Sequence, residues 1–325
     1  MAVLQRAAAL VLFTGALAFS AGASLAQDYP ARTVKIIVPF GAGGPTDVFT
    51  RATAEELRKS LNQPFVMENR PGAGSTIGTD AVAKSAPDGY TLLMISATQA
   101  TNETLLTQKS YQLMRDFVAV APLMRTDLVL VVHPSVPANT LAEFIALAKA
   151  KPGALNYASS GQGSNYHMAA ELFKNLTGTD IVHVPYKGST GARSDIISGQ
   201  VQMMFDSVPT MAPLILAGRV RALGTTGKTR SAILPDVPTL AEAGAPGYEA
   251  SLWTGIVAPA ATPPAIVKLL NREVNKILAR PDIKDAWEKQ GATPMAMTPS
   301  EFNAYIESEI VKWAKVIQAN KIKSF

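Results

Sequence analysis

Two glycine-rich turns carry the clearest chemical signal in this chain. One is Pro39-Phe40-Gly41-Ala42-Gly43-Gly44-Pro45-Thr46-Asp47, the other Ser159-Ser160-Gly161-Gln162-Gly163-Ser164. Each follows a short apolar run and opens a helical pattern. Such a turn leaves backbone N–H groups unpaired at a helix start, where the helix dipole also favours negative charge. Gly43 and Gly44 let the backbone approach a ligand closely. Pro45 suits the first helical position because it has no N–H to lose. Amides from Gly44 to Asp47 would then face an anion. In the second turn Gly161 and Gly163 keep the backbone permissive, and Ser164 either caps the helix or offers its hydroxyl to a ligand. Two such turns in separate halves of a chain can grip the two ends of one elongated anion. For the first, a tight turn that merely needs positive φ is the plainer alternative; for the second, it is Ser164 as a simple N-cap.

Other chemistry is thinly represented. A third glycine segment, Arg70 to Gly78, has the spacing G-x-G-x-x-x-G after a short strand that ends in polar residues, and no Walker lysine follows any glycine turn. A nucleotide site is therefore not expected. The three histidines, His133, His167 and His183, lack the spacing of a metal-binding pair. Ser164 and His167 are close in sequence, but the serine is not in a G-x-S-x-G elbow, so an exported Ser/His hydrolase is only an alternative. No catalytic residue, metal or cofactor is expected. Asp206 ends an apolar run, where α/β sheets place ligand residues. A bare carboxylate would repel an anion, so Asp206 is expected to orient donors or meet an amine; an N-cap role is its plainer alternative.

The elements that must position these residues alternate between short apolar runs and helical patterns, as in parallel α/β proteins. Strands are expected at Val34–Val38, Tyr90–Ile95, Leu128–Val132, Leu155–Ala158, Ile181–Tyr186, Val201–Phe205, Val220–Thr225 and Trp253–Ala258, with a short one at Phe65–Met67. A helix from Thr46 to Leu61 carries a weak stripe of Val48, Ala52, Leu57 and Leu61. The helix opened by Ser164 places Ala169, Leu172, Phe173 and Leu176 on one face. Thr140-Leu141-Ala142-Glu143 and Thr298-Pro299-Ser300-Glu301 are capping boxes. A helix from Pro264 buries Val267, Leu270, Val274 and Ile277. The last helix runs to Ala319 and buries Phe302, Ile306, Ile310, Trp313 and Ile317. These two C-terminal helices suggest a chain that returns to brace its first domain.

Composition sets the compartment and excludes several partners. Arg6, an apolar stretch from Ala7 to Phe19 and the small residues Ser24-Leu25-Ala26 form a secretory leader, cleaved before Gln27. The remaining chain of about 300 residues suffices for two domains. There are no cysteines, which excludes thiol chemistry and leaves stability to packing. The net charge of +5 is scattered, without the basic stripe that nucleic-acid binding needs.

Six further stretches sharpen the reading. They are Ile37-Val38-Pro39-Phe40 with Gly43-Gly44 and Asp47; Glu68 to Gly74; Ala86-Pro87-Asp88-Gly89-Tyr90-Thr91-Leu92; Leu155-Asn156-Tyr157-Ala158-Ser159; Val184-Pro185-Tyr186-Lys187-Gly188; and Leu234-Pro235-Asp236-Val237-Pro238-Thr239. In these, and in order along the mature chain, the sequence resembles the Bug (TctC-type) family of periplasmic solute-binding proteins, the receptors of tripartite tricarboxylate transporters. The resemblance implies a type II periplasmic binding protein fold, with two α/β domains joined by two crossovers and a ligand cleft between them. Residues 27–127 and 253–325 would form domain 1, and 128–252 domain 2. It further implies that backbone amides and ordered waters hold a ligand carboxylate at Phe40, Gly43, Gly44, Thr46 and Asp47. Ser96, Ala97 and Thr98 would face the cleft beside them. Ser160, Gly161, Gly163, Ser164, Asn165, Tyr166 and Asp206 would close it from domain 2, with Trp253 at the returning crossover. Gly41-Ala42, Pro45 and Asn165-Tyr166 depart from the family's usual residues and leave the ligand's identity open, with a tilt toward larger or aromatic acids. The implied partners are a small organic carboxylate and the membrane permease subunits. A monomer is expected, and a membrane sensor kinase is the alternative recipient of the liganded receptor.

Overall fold

The computed structural model describes residues 29–319 and residue 322. The leader, residues 1–26, lies outside the described residues. Among the described residues, no helix is long and apolar enough to cross a membrane.

Ten strands follow one another as β1 (Val34–Val38), β2 (Phe65–Asn69), β3 (Thr91–Ser96), β4 (Phe117–Val132), β5 (Asn156–Ser159), β6 (Val182–Pro185), β7 (Met203–Ser207), β8 (Arg221–Thr225), β9 (Ser251–Pro259) and β10 (Ala292–Pro294). Their spatial order is β2-β1-β3-β9-β4-β7-β5-β6, with β8 and β10 also paired to β4. β1 runs parallel to β2 and β3. β5 runs parallel to β6 and β7. Helices supply the crossovers between parallel strands, as chain geometry requires. Among the described residues, only β4 serves both groups. Its residues Phe117 to Asp127 pair antiparallel with β9, and Leu128 to Val132 pair with β7 and β8.

The sequence suggested only the second part of β4. The full strand has 16 residues, nearly all buried, and would span about 50 Å when extended. Pro122 hides the first part, because proline removes a ladder donor and is found at bulges or edges. Here the register shifts between Pro122 and Met124, and again between Ala119 and Ala121, so bulges absorb it.

The halves meet at a small knot of backbone. Thr226 is fully buried. Its hydroxyl donates to the Ala250 carbonyl at 2.6 Å and accepts from the Leu128 N–H at 2.8 Å. Its own N–H reaches the Leu128 carbonyl at 2.9 Å. One side chain thus ties Leu128, just past the first crossing, to Ala250, just before the second.

The helices are α1 (Pro45–Leu61), α2 (Thr76–Ala83), α3 (Ala97–Leu105), α4 (Leu113–Asp116), α5 (Leu141–Ala150), α6 (Asn165–Thr177), α7 (Ser189–Ser198), α8 (Val208–Leu216), α9 (Leu240–Ala243), α10 (Pro264–Ala279), α11 (Pro281–Glu288) and α12 (Pro299–Ala319). Both expected capping boxes form. Thr140 and Glu143 exchange bonds, as do Thr298 and Glu301. On α10, Val267, Leu270, Val274 and Ile277 are buried as expected. On α12, Phe302, Ile306, Trp313 and Ile317 are buried, whereas Ile310 is only half-buried.

Two faces differ from the sequence reading. On α1, Leu57 is buried as expected, but Val48 is exposed, and Phe49 and Thr53 share the inward row with Leu57. Their i, i+4, i+8 spacing is equally helical, but Thr53 disguised it; its hydroxyl bonds the Phe49 carbonyl and so needs no water. On α6, Leu176 is exposed and Leu172 half-buried, while Thr177 takes the inward position below Phe173. The Thr177 hydroxyl is likewise satisfied by the Phe173 carbonyl at 2.7 Å.

Thr226→Val keeps the shape of the knot but leaves the Leu128 N–H without its acceptor. A loss of about 1–3 kcal/mol in unfolding free energy by urea denaturation is expected.

Candidate functional site

Four helix starts converge between the halves. The first-half members are α1, capped by Gly44, and α3, capped by Ser96. The second-half members are α6, capped by Ser164, and α7, capped by Gly188. They surround a small pocket, with about 30 Å³ of enclosed space. Phe40, Gly41, Gly44, Pro45, Thr46, Ser96 and Thr98 line it from the first half. Ser160, Asn165, Tyr166, Gly188 and Ser189 line it from the second, with Leu252 at the crossing. No Lys, Arg, His, Asp or Glu is among these residues. The attraction for an anion therefore comes from backbone dipoles and hydroxyls, not from a counter-charge. Several first-turn amides are already used: Asp47 N–H returns to the Gly44 carbonyl, Thr98 N–H to Ser96 Oγ, and His167 N–H to Ser164 Oγ.

Each predicted residue has a definite place. Phe40, Gly44, Thr46, Ser96, Thr98, Ser160, Asn165 and Tyr166 lie on the pocket wall. Gly161 and Ser164 line an adjoining recess that shares Phe40, Thr98 and Ser160 with the pocket. That recess also receives Gly72, Ala73, Gly74 and Ser75, so the third glycine segment borders the cleft rather than forming a separate site.

The remaining predicted residues stand off the wall. Gly43, at φ +79°, shapes the first turn. Asp47 faces inward: its Oδ2 accepts from Gly43 N–H at 3.2 Å and its Oδ1 from Arg51 and Asn69 at 3.1 Å. It holds the turn from behind. Gly163 turns its carbonyl to the Thr101 hydroxyl of the first half at 3.1 Å. Ala97 is fully buried in the core, because the first turn of α3 presents Ser96 and Thr98 to the pocket and Ala97 to the sheet.

Trp253 is also core, not cleft. Successive strand residues point to opposite faces, so Leu252 reaches the pocket and Trp253 turns away. Its Nε1–H donates to Glu309 Oε2 at 3.0 Å, and its ring meets Phe302 and Tyr305 edge-on. It anchors α12. Sequence reading missed Gly188 and Ser189 as wall residues, although a glycine followed by serine at a helix start was a usable signal.

Asp206 is fully buried behind Tyr166. Its Oδ1 accepts from Ser207 N–H at 2.7 Å and from the Thr210 hydroxyl at 3.1 Å. Burial pushes the carboxyl pKa up, and the nearby Arg193 guanidinium pulls it down. Burial pushes the Tyr166 phenol well above its ordinary value, and the Asp206 carboxylate pushes it further.

His167 and His183 support the Ser159–Ser164 turn. His167 Nδ1 accepts the Gly163 N–H at 3.1 Å, so its ring is not directed at Ser164 Oγ as a hydrolase would need. His183 Nε2 lies 2.6 Å from Ser159 Oγ. The two rings stack at 4.1 Å, and Tyr157 stacks on His183 at 4.8 Å.

A sheet in two halves with an anion-seeking pocket between them defines a periplasmic-binding-type solute receptor. The tripartite tricarboxylate transporter family receptor model matches residues 49–322, and the chain belongs to that family. Protein BugT of Bordetella pertussis is 42% identical over 300 residues, covering 92% of each chain. Among solved structures, R. palustris Rpa4515 with adipate superposes with a TM-score of 0.88 at 37% identity, covering 91% of this chain and 99% of that one. MatC from Rhodopseudomonas palustris with bound malate gives 0.85 at 34%, covering 89% and 100%.

Burial lowers the pKa of His167 to about 4, with Lys174 adding to the effect. It lowers that of His183 to about 3, with His167 adding. The unfolded chain takes up these protons below about pH 6.5, whereas the folded protein does not until lower pH. Stability is therefore expected to fall as pH drops from about 6.5 to 4. Urea denaturation across that window should give a shallower decline for His183→Asn than for wild type.

Proposed function

We propose that this chain is a periplasmic receptor that closes over a small organic carboxylate and delivers it to the membrane subunits of a tripartite tricarboxylate transporter. The observation that carries this reading is the convergence of four helix starts, two from each half, on a pocket wall without an acidic or basic side chain. A carboxylate meeting such a wall exchanges water for backbone and hydroxyl donors. A hydrogen bond to a charged group is worth about 1.5–3 kcal/mol. The leader read from the sequence and the family support the periplasm. The acids named with Rpa4515 and MatC support a dicarboxylate as the first ligand class to test.

In this reading Phe40, Gly44, Thr46, Ser96 and Thr98 hold one carboxylate from domain 1. Ser160, Asn165, Tyr166 and Ser189 close on the rest of the ligand from domain 2. Gly43, Asp47, Gly161, Gly163, Ser164 and Asp206 fix the geometry of those loops. The domains are residues 27–127 with 253–325, and 128–252. Their hinge lies at the two crossings, Asp127–Leu128 and Leu252–Trp253, beside Thr226. Closure follows from contacts a ligand makes with both domains but cannot make with one.

Two measurements test this. Isothermal titration of the purified protein with mono-, di- and tricarboxylates and aromatic acids should give saturable binding for one class; a flat panel overturns the reading. In Gly44→Val the added side chain starts 3.2 Å from the Ser189 hydroxyl across the cleft. We expect affinity at least tenfold weaker with an unchanged unfolding midpoint. Unaltered affinity would place the anion elsewhere.

A further inference from the structure

Asp206 poses a problem for an anion pocket. Its carboxylate is fully buried at the end of β7, behind the Tyr166 wall, and its Oδ2 has no hydrogen-bond partner. Left alone, that charge would repel any anion seated in front of it. Arg193 of α7 answers it, with Nη1 3.7 Å from Oδ2. The same guanidinium faces the first half: Nη2 donates to the Gly43 carbonyl at 3.0 Å. One turn earlier, the Thr190 hydroxyl donates to the Ala42 carbonyl at 3.2 Å and lies 3.3 Å from Arg193 Nη2. Ala42 and Gly43 belong to the first-half anion turn, whereas Thr190, Arg193 and Asp206 belong to the second half. The bonds to those carbonyls exist only while the halves are together.

We propose that Arg193 is a closure-dependent clamp that neutralises Asp206 and thereby sets the pocket's preference for anionic ligands. In the closed cleft, Gly43 fixes the guanidinium between its own carbonyl and the buried carboxylate. The anion turn and the compensating charge are then locked by one side chain. When the cleft opens, Arg193 loses Gly43 and its hold on Asp206 loosens. The pocket becomes less hospitable to an anion as it opens, which favours release. Arg193 touches no ligand in this scheme and acts as a positioning residue. The inference rests on the receptor reading above.

The test uses adipate and malate as probes in isothermal titration, with small-angle scattering of the ligand-free protein beside it. Arg193→Met should weaken the better-bound acid at least tenfold and enlarge the ligand-free radius of gyration. Arg193→Lys keeps the charge but cannot fork to two partners, and should fall between wild type and Arg193→Met. Adding Asp206→Asn to Arg193→Met removes the exposed repulsion and should recover most of the lost affinity. That rescue would not follow from a merely structural role. Should Arg193→Met fail to fold because its buried carboxylate is unpaired, the double variant carries no such charge and still reports: affinity near wild type supports the clamp. Wild-type binding by Arg193→Met, or a double variant weaker than the single, overturns it. If wild type binds neither acid, the receptor reading fails for this ligand class. The scattering arm still decides the clamp, since an unchanged radius in Arg193→Met refutes it.

Discussion

The starts of four helices, aimed at one space from two sides, are the constraint that the rest of this chain serves. A helix start offers amides that its own carbonyls cannot reach, together with the positive end of its dipole. Each such end contributes about 0.3–1 kcal/mol toward a nearby anion at an exposed site, and up to about 2 kcal/mol when partly buried. A lysine or arginine in the wall would attract more strongly. It would also have to be stripped of water on closure and would stand unpaired in the empty pocket, a situation that costs several kcal/mol. Amides and hydroxyls avoid that penalty. A wall of this kind suits a protein that must let its ligand go as readily as it takes it.

Such an arrangement works only if the two sets of helix starts can be brought together repeatably. β4 provides the continuity. Because one strand is hydrogen-bonded into both groups of strands, the halves share a backbone rather than a flexible linker. The change of partners falls between Asp127 and Leu128, beside Thr226. Space there is tight: a methyl group on Gly227 would come within 2.2 Å of Asp127 Oδ2. Burial raises the Asp127 carboxyl pKa, so this charge too is kept short of water. A dense crossing of this kind leaves few dihedral angles free to change, which favours a repeatable meeting of the four helix starts.

The sequence made the turns legible because their signals are local. Gly43 at φ +79° and Gly161 at φ +128° are glycines for a backbone reason, and Pro45 and Ser164 stand where helix-start chemistry puts them. Capping boxes at Thr140 and Thr298 were readable for the same reason. What stayed hidden depends on partners far away in the chain. Inward-facing threonines on α1 and α6 look polar until their hydroxyls are seen to bond the preceding turn. Trp253 looked like a cleft aromatic, yet its indole needed an acceptor that only α12, in Glu309, could bring. Ser189 reaches the pocket only because α7 lies across from Gly44, a placement no local pattern encodes.

The distribution of charge is alike in both halves. Lys187 lines the adjoining recess, but Asp47, His167 and Asp206 stand one layer behind the pocket wall, each tied to the loop in front of it. Asp47 holds Gly43 N–H, His167 holds Gly163 N–H, and Asp206 holds the Ser207 N–H at the start of α8. His167 serves as a neutral acceptor because burial depresses its pKa, and burial depresses that of His183 beside it as well. Asp47 is paired with Arg51 and Asn69, and Asp206 faces Arg193. In the proposed reading, backbone amides would meet the ligand while these buried side chains set where the amides point. A change of one charge in the layer behind the wall would then alter the position and the potential of a whole turn.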